Sequence, residues 1–440
     1  MKTHSFFSIV PVLFLLTFQS VKAQTQDYTA PILPSIPDKV FNIKTFGAIS
    51  DYSTDNTKAI QSAIDDANKV GGGIVLIPSG VYLSGPLKFC NNLNLKIDSA
   101  ATLRFLPFDR YPGGIKEGNS FISGTGLHDV AITGKGTIDG QGSPWWPYAK
   151  SDKDAKRPRM IVLRDCNKIL IQQVKLTNSP MFHIAIGGKT TNVTVDAITV
   201  RAPASDDPVN PSHNTDACNV TGKNIVIKNC DISTGDDNYT CGGGTSNVLI
   251  TNNKYGYGHG VSIGSPTSGG VSNITVENCT FTNTECGIRI KSDRDRGGTV
   301  QNLTYKNLKM TNVQFPILIY AAYGTKEKEF RDLRKLKPET ATNYASAPIA
   351  EKTPIYKNIT FSNITATTLP GNRAGLIWGL PEVPIENLLL QNITITADFP
   401  FGIFFAKNVK MENCKIITKE GKNKIAVTDA EVTLDGKEIK

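Results

Sequence analysis

A pattern of asparagine, apolar, any, apolar, any, asparagine, then two further alternating positions, recurs through the second half of the chain. It reads NIVIKNCDI from Asn224, NVLITNNKY from Asn247, NITVENCTF from Asn273 and NLTYKNLKM from Asn302. It returns as NITFSNITA from Asn358, NLLLQNITI from Asn387 and NVKMENCKI from Asn408. NVTVDAITV from Asn192 and KILIQQVKL from Lys168 are looser copies. Successive starts lie 24, 32, 23, 26, 29, 56, 29 and 21 residues apart. Each unit offers two short strands of period-two alternation. They bend at the inner asparagine, which tolerates the left-handed backbone of a tight turn. Units of this length predict an all-β solenoid, a right-handed parallel β-helix whose coils stack at ~4.8 Å. Propeller blades need a longer period, and the spaced leucines of a leucine-rich repeat are missing.

The 56-residue gap is either two coils or one coil with an insertion. Residues 324–352 are charged, break the pattern and are the candidate insertion. The many N-x-T sequons read as turn asparagines followed by β-branched strand residues. Cys230, Cys279 and Cys414 share one phase and are expected to be buried free thiols. Cys218 and Cys241 fall in adjacent coils, where a bridge stays open.

An open solenoid needs capped ends. Ala59, Ile60, Ala63, Ile64 and Ala67 form one apolar face at helical spacing. They predict a helix that plugs the first coil, started by Asp55 or Thr54 and ended at Gly71. The final strands, near 425–439, close the far end. Residues 1–23 read as a secretory signal peptide, with a basic start, an apolar run and VKA before the cleavage point. Residues 24–40 form a Pro-rich arm, and 41–440 a single β-helix domain. Removing the signal takes the net charge from +9 to +7, which suits a polyanionic partner. No Cys or His cluster has zinc spacing, and no phosphate-binding loop is present.

Polar residues that break the apolar phase carry the chemistry. Asp216 to Asp237 is 21 residues and Asp237 to His259 is 22, one coil each. These three are therefore expected to stack on one face. Arg289 and Lys291 follow in the next coil, two apart and on one side of a strand. Asp236 and Asp237 lie behind Gly235, where the chain bends into a strand and strict alternation lapses. Three close carboxylates cannot all ionise easily, so at least one holds a proton beside ionised neighbours. Glycoside hydrolysis needs that division: an acid for the leaving oxygen and a base for water. Arg289 and Lys291 suit a carboxylate on the substrate, as in a uronic acid.

The motifs NTD at 214–216, GDD at 235–237, GHG at 258–260 and RIK at 289–291 resemble glycoside hydrolase family 28, the polygalacturonase family. The N-terminal FGAISDYSTDNTKAIQSAI and GTIDGQGSPWW are also similar to that family. The resemblance covers roughly residues 41–420. It implies a pectate-lyase-like solenoid that hydrolyses α-galacturonosyl bonds with inversion and without a metal or other cofactor. It implies that Asp236 is the general acid, that Asp216 and Asp237 activate water, and that His259 supports the acid. Arg289 and Lys291 would hold the galacturonate carboxylate, Tyr323 would touch substrate, and Asn214 would shape the site. The implied partner is galacturonate-containing pectin, met by an exported monomer in the periplasm or outside the cell. No nucleic acid and no membrane span are expected. Endo and exo action stay open. A rhamnogalacturonan or other branched-pectin hydrolase, a pectate lyase and a non-catalytic carbohydrate-binding β-helix are the alternatives.

Overall fold

The computed structural model describes residues 28–324, 333–419 and 421–439. The proposed signal peptide lies outside them. The chain winds as a parallel β-helix whose strands stack in three columns. The column that carries the site runs through Ile161–Arg164, Ile184–Gly187, Cys218–Val220, Tyr239–Cys241, Val261–Ile263 and Cys286–Lys291. It continues through Phe315–Tyr320 and Arg373–Trp378. Every pairing along it is parallel, as a coil that always turns the same way requires.

The asparagine repeat does more than bend the chain once. Both asparagines of each unit adopt a left-handed backbone, with φ of 57° at Asn224 and Asn229, and 57° and 54° at Asn358 and Asn363. Asparagine visits this region at lower cost than other residues with side chains. Their side chains then stack. Asn247 Nδ2 donates to Asn224 at 2.8 Å, Asn387 to Asn358 at 3.0 Å and Asn408 to Asn387 at 2.7 Å. A second ladder joins Asn363 to Asn307 and Asn413 to Asn392. The Asn302, Asn358, Asn363 and Asn392 amides, each in an N-x-T sequon, are thus partnered within the fold.

The 56-residue gap is one coil with an insertion. Thr299–Val313 pairs directly with Ile355–Thr368, and Asn358 donates to Asn302 at 3.2 Å. All eight cysteines are free, Cys218 and Cys241 included. Cys230, Cys279 and Cys414 are buried, each with its thiol on a carbonyl two residues earlier.

The capping helix spans Thr57–Lys69 and buries Ile60, Ala63, Ile64 and Ala67 against the first coil. Asp55 accepts from the Thr57 amide at 2.9 Å, satisfying one free donor of the first turn. The segment before it lies along the outside of the coils. Thr29 and Asn247 bond to each other, and Ser35 donates to Asp129 at 2.7 Å. At the far end Lys437–Ile439 turns antiparallel to Ile425–Leu434 and covers the final edge.

Candidate active site

Turns, two bends and one strand build the site. Gly235 and Asp236 form a bend between Asp231–Ser233 and Tyr239–Cys241. The bend lets neighbouring carboxylates serve one groove. His259 sits between two glycines with φ of 74° and 71°. A Cβ on Gly258 would meet the Asp236 carbonyl, and one on Gly260 the Cys286 carbonyl. The tight approach brings the His259 amide to the Asp236 carbonyl at 3.0 Å. Arg289 and Lys291 project from Cys286–Lys291 on the side opposite buried Ile288 and Ile290.

All eight residues expected from the sequence line one cavity of about 430 Å³: Asn214, Asp216, Asp236, Asp237, His259, Arg289, Lys291 and Tyr323. Phe182, Asn219 and Thr240 share its walls.

Asp237 is held by three donors. Ser262 Oγ lies 2.7 Å away, Lys291 Nζ 3.3 Å away, and Arg289 makes a close ion pair. Burial favours its neutral form, but the Arg289 and Lys291 charges win, and its carboxyl stays below the ordinary range. Asp236 lies 3.1 Å from His259 Nδ1 and accepts from the Asn214 amide and side chain at 3.2 and 3.3 Å. Burial pushes it up, and the His259 bond and charge with the two cations pull it down further. Asp216 is different. Burial and then the charges of Asp236 and Asp237 push it well above the carboxylate range. Of the three carboxyls, Asp216 is the one whose surroundings most favour keeping a proton.

Sequence reasoning missed three contributors. Glu285 lies 3.0 Å from His259 Nε2 and 3.7 Å from Arg289. Burial and the Arg289 charge disfavour His259 protonation, yet Glu285 and Asp236 together hold its pKa up at about 10. Glu285 falls to about 2: burial opposes ionisation, and the His259 charge outweighs it. Ser262 links Asp237 to Arg289, whose Nε donates to it at 3.0 Å. Arg157 donates to the Asn214 side chain at 2.6 Å and to two backbone carbonyls, fixing the segment that cradles Asp236.

Ligand atoms of Asp236, Asp237 and His259 lie within 4.8 Å of one another. Arg289 and Lys291 both engage Asp237, which places two positive charges beside that group. Lys291 Nζ also stands 5.1 Å from the centre of the Tyr323 ring. A carboxylate-bearing ring in this groove meets ammonium, guanidinium and an aromatic face together.

A family model described as Glycosyl hydrolases family 28 matches residues 72–421. An endo-polygalacturonase of Pectobacterium carotovorum subsp. carotovorum is 32% identical over 437 residues, covering 91% of this chain and 96% of that protein. The family 28 exopolygalacturonase of Yersinia enterocolitica superposes with a TM-score of 0.75 at 20% identity, over 92% of this chain and 79% of that one. The polygalacturonase of Erwinia carotovora ssp. carotovora superposes with a TM-score of 0.63 at 27% identity, over 93% and 99%.

Proposed function

Since the chain belongs to glycosyl hydrolases family 28, we propose that it hydrolyses the α-1,4-galacturonosyl bonds of polygalacturonate and pectin fragments with inversion. The observation that carries this reading is three carboxylates and His259 in one groove beside Arg289 and Lys291. The carboxylates supply acid and base, and the cations select an acidic sugar.

Asp236 is the general acid. It is more open to the groove than Asp237, its side chain 18% exposed against 5%. With water around the pair, its proton rests on His259, whose pKa stands at about 10. Substrate expels water, and an ion pair loses stability against its neutral form when water leaves. The proton then moves from His259 Nδ1 to Asp236 across 3.1 Å. Nδ1 is left as an acceptor, and an Arg289 nitrogen stands 3.1 Å from it. Asp236 next protonates the glycosidic oxygen. Asp237, fixed as a carboxylate, takes the proton of the attacking water, and Asp216 shares that water through its own carboxyl. The anomeric carbon is attacked opposite the leaving group and inverts.

Export is part of this reading, since polymeric pectin lies outside cells. Among the described residues no helix is long and apolar enough to cross a membrane.

Incubation with polygalacturonic acid, following reducing ends and ultraviolet absorbance together, tests the reading. Reducing ends without absorbance support hydrolysis. An absorbing, unsaturated product signals elimination and overturns it.

A further inference from the structure

The outer face of the site column changes character within one coil. Register places Asn219, Thr240, Ser262, Arg289, Leu318 and Leu376 in one outward row. The first four are polar: Asn219, Thr240 and Arg289 line the groove, and Ser262 is buried beside Asp237. The last two are apolar and buried, Leu318 at 2% and Leu376 at 0% exposure. The neighbouring row repeats the switch: Lys291 is followed by Tyr320, Trp378 and Phe404, all three buried. Upstream, Val162 and Ala185 in the first row are only half-buried. The face is open before the acids and roofed after the cations.

The roof comes from the described part of the insertion, residues 333–352. Leu336, Ala341 and Tyr344 are buried, although they lie in a segment that breaks the coil pattern. The Tyr344 ring meets Trp378 edge-on at 5.8 Å. Arg373 donates to the carbonyls of Arg334 and Leu336 at 3.1 and 2.7 Å. Arg294 clamps the other side. It pairs with both oxygens of Glu382 at 2.7 and 2.9 Å, donates to the Ala345 carbonyl at 2.9 Å and lies over the Tyr344 ring at 4.5 Å. A leg held by buried rings and bidentate pairing is a fixed wall.

We propose that this wall ends the groove just beyond Arg289, Lys291 and Tyr323, and that the enzyme is exo-acting, cutting a fixed short distance from one chain terminus. The inference rests on the polygalacturonate reading above. From Asp237 to the first roofed strand is three coil steps, ~14 Å at ordinary strand spacing. A polymer cannot continue past that point, so a terminus must lie there. Each cut adds one water across a bond near that terminus and frees a short fragment. The relatives divide between endo and exo in their names, and the wall decides for this chain.

The test uses the full-length protein and polygalacturonate, with products sized early in the reaction and viscosity followed in parallel. The expected result is one short product from the start, with viscosity falling slowly against reducing ends. A ladder of intermediate lengths with rapid thinning overturns the wall and leaves the hydrolase reading standing. No release of reducing ends refutes the substrate, and the inference falls with it. The double variant R294A/Y344A loosens the leg without altering a cavity-lining residue. If folded by circular dichroism, it is expected to add longer products. A folded variant with the single product unchanged contradicts the assignment of the wall to this leg.

Discussion

Nδ1 of His259 lies 3.1 Å from Oδ1 of Asp236, close enough for a proton to pass between them. Which atom carries it depends on how much water surrounds the pair. Catalysis turns on that position, because Asp236 can act as an acid only when the proton is on its side.

Asp236→Asn removes the donor and keeps the shape. We expect kcat on polygalacturonate to fall about 10²–10⁴-fold, the usual worth of a positioned acid, with KM little changed. An aryl galacturonide with an acidic phenol as leaving group needs little protonation and should recover much of the loss. Steady-state kinetics on both substrates check this. Equal losses on the two would count against the acid role.

Glu285→Gln should act through His259. With Glu285 in place the His259 pKa stands at about 10. Its unfolded value is about 6.5. The raised value stabilises the fold fully below the unfolded pKa and is lost as pH rises through the folded one. Replacing Glu285 lowers the His259 pKa. The alkaline limb of activity and the alkaline loss of stability should both move to lower pH. Imidazole titration by NMR, with melting curves from pH 6 to 10, measures the shift.

Asp216 carries a stability cost. Its pKa is raised in the folded state, so its ionisation opposes folding at neutral pH. The folded state binds its proton above the unfolded pKa, and this group's contribution worsens as pH rises through that range. Asp216→Asn is expected to abolish most activity while raising the melting temperature by about 1–3 °C at pH 7. The gain should vanish below about pH 4, where the unfolded carboxyl is also protonated. A lower melting temperature at pH 7 would contradict the charge assignment.

Lys291→Ala should weaken recognition of the acidic ring. Charge-assisted bonds of this kind support a loss of about 10–100-fold in kcat/KM on polygalacturonate. The loss should shrink on methyl-esterified pectin, which has no charge to meet. Kinetics across a series of esterification levels checks it.

Much of this was legible because the coil repeats. Spacings of 21 and 22 residues were enough to place Asp216, Asp237 and His259 together. The asparagine phase marked the inner turn of each coil; the left-handed leading asparagine and the two amide ladders came only with the structure. Glu285 escaped because later coils lengthen, so it lies 26 residues after His259 and off the simple period. Ser262 escaped as a neutral residue inside GVSIGS. Arg157 reaches the site from a loop far upstream, and no periodicity reports on a loop. The side of the coil that the insertion covers was also hidden. The step from Arg289 and Lys291 to Leu318 and Tyr320 marks it only once register is known.

The ladder makes its own prediction. Asn358→Ala places an ordinary side chain at φ 57° and removes an amide bonded to Asn302. It should destabilise by about 1–3 kcal/mol, and Asn358→Gly by less, because glycine keeps the backbone and loses only the bond. Denaturant midpoints of the two variants separate strain from bonding.

The most direct test of the central claim is the anomeric configuration of the first product, followed by proton NMR on polygalacturonate before mutarotation. An acid and a water-activating base on opposite sides of the bond predict the β anomer first. The α anomer appearing first would mean retention, and would contradict the roles given to Asp236, Asp237 and Asp216.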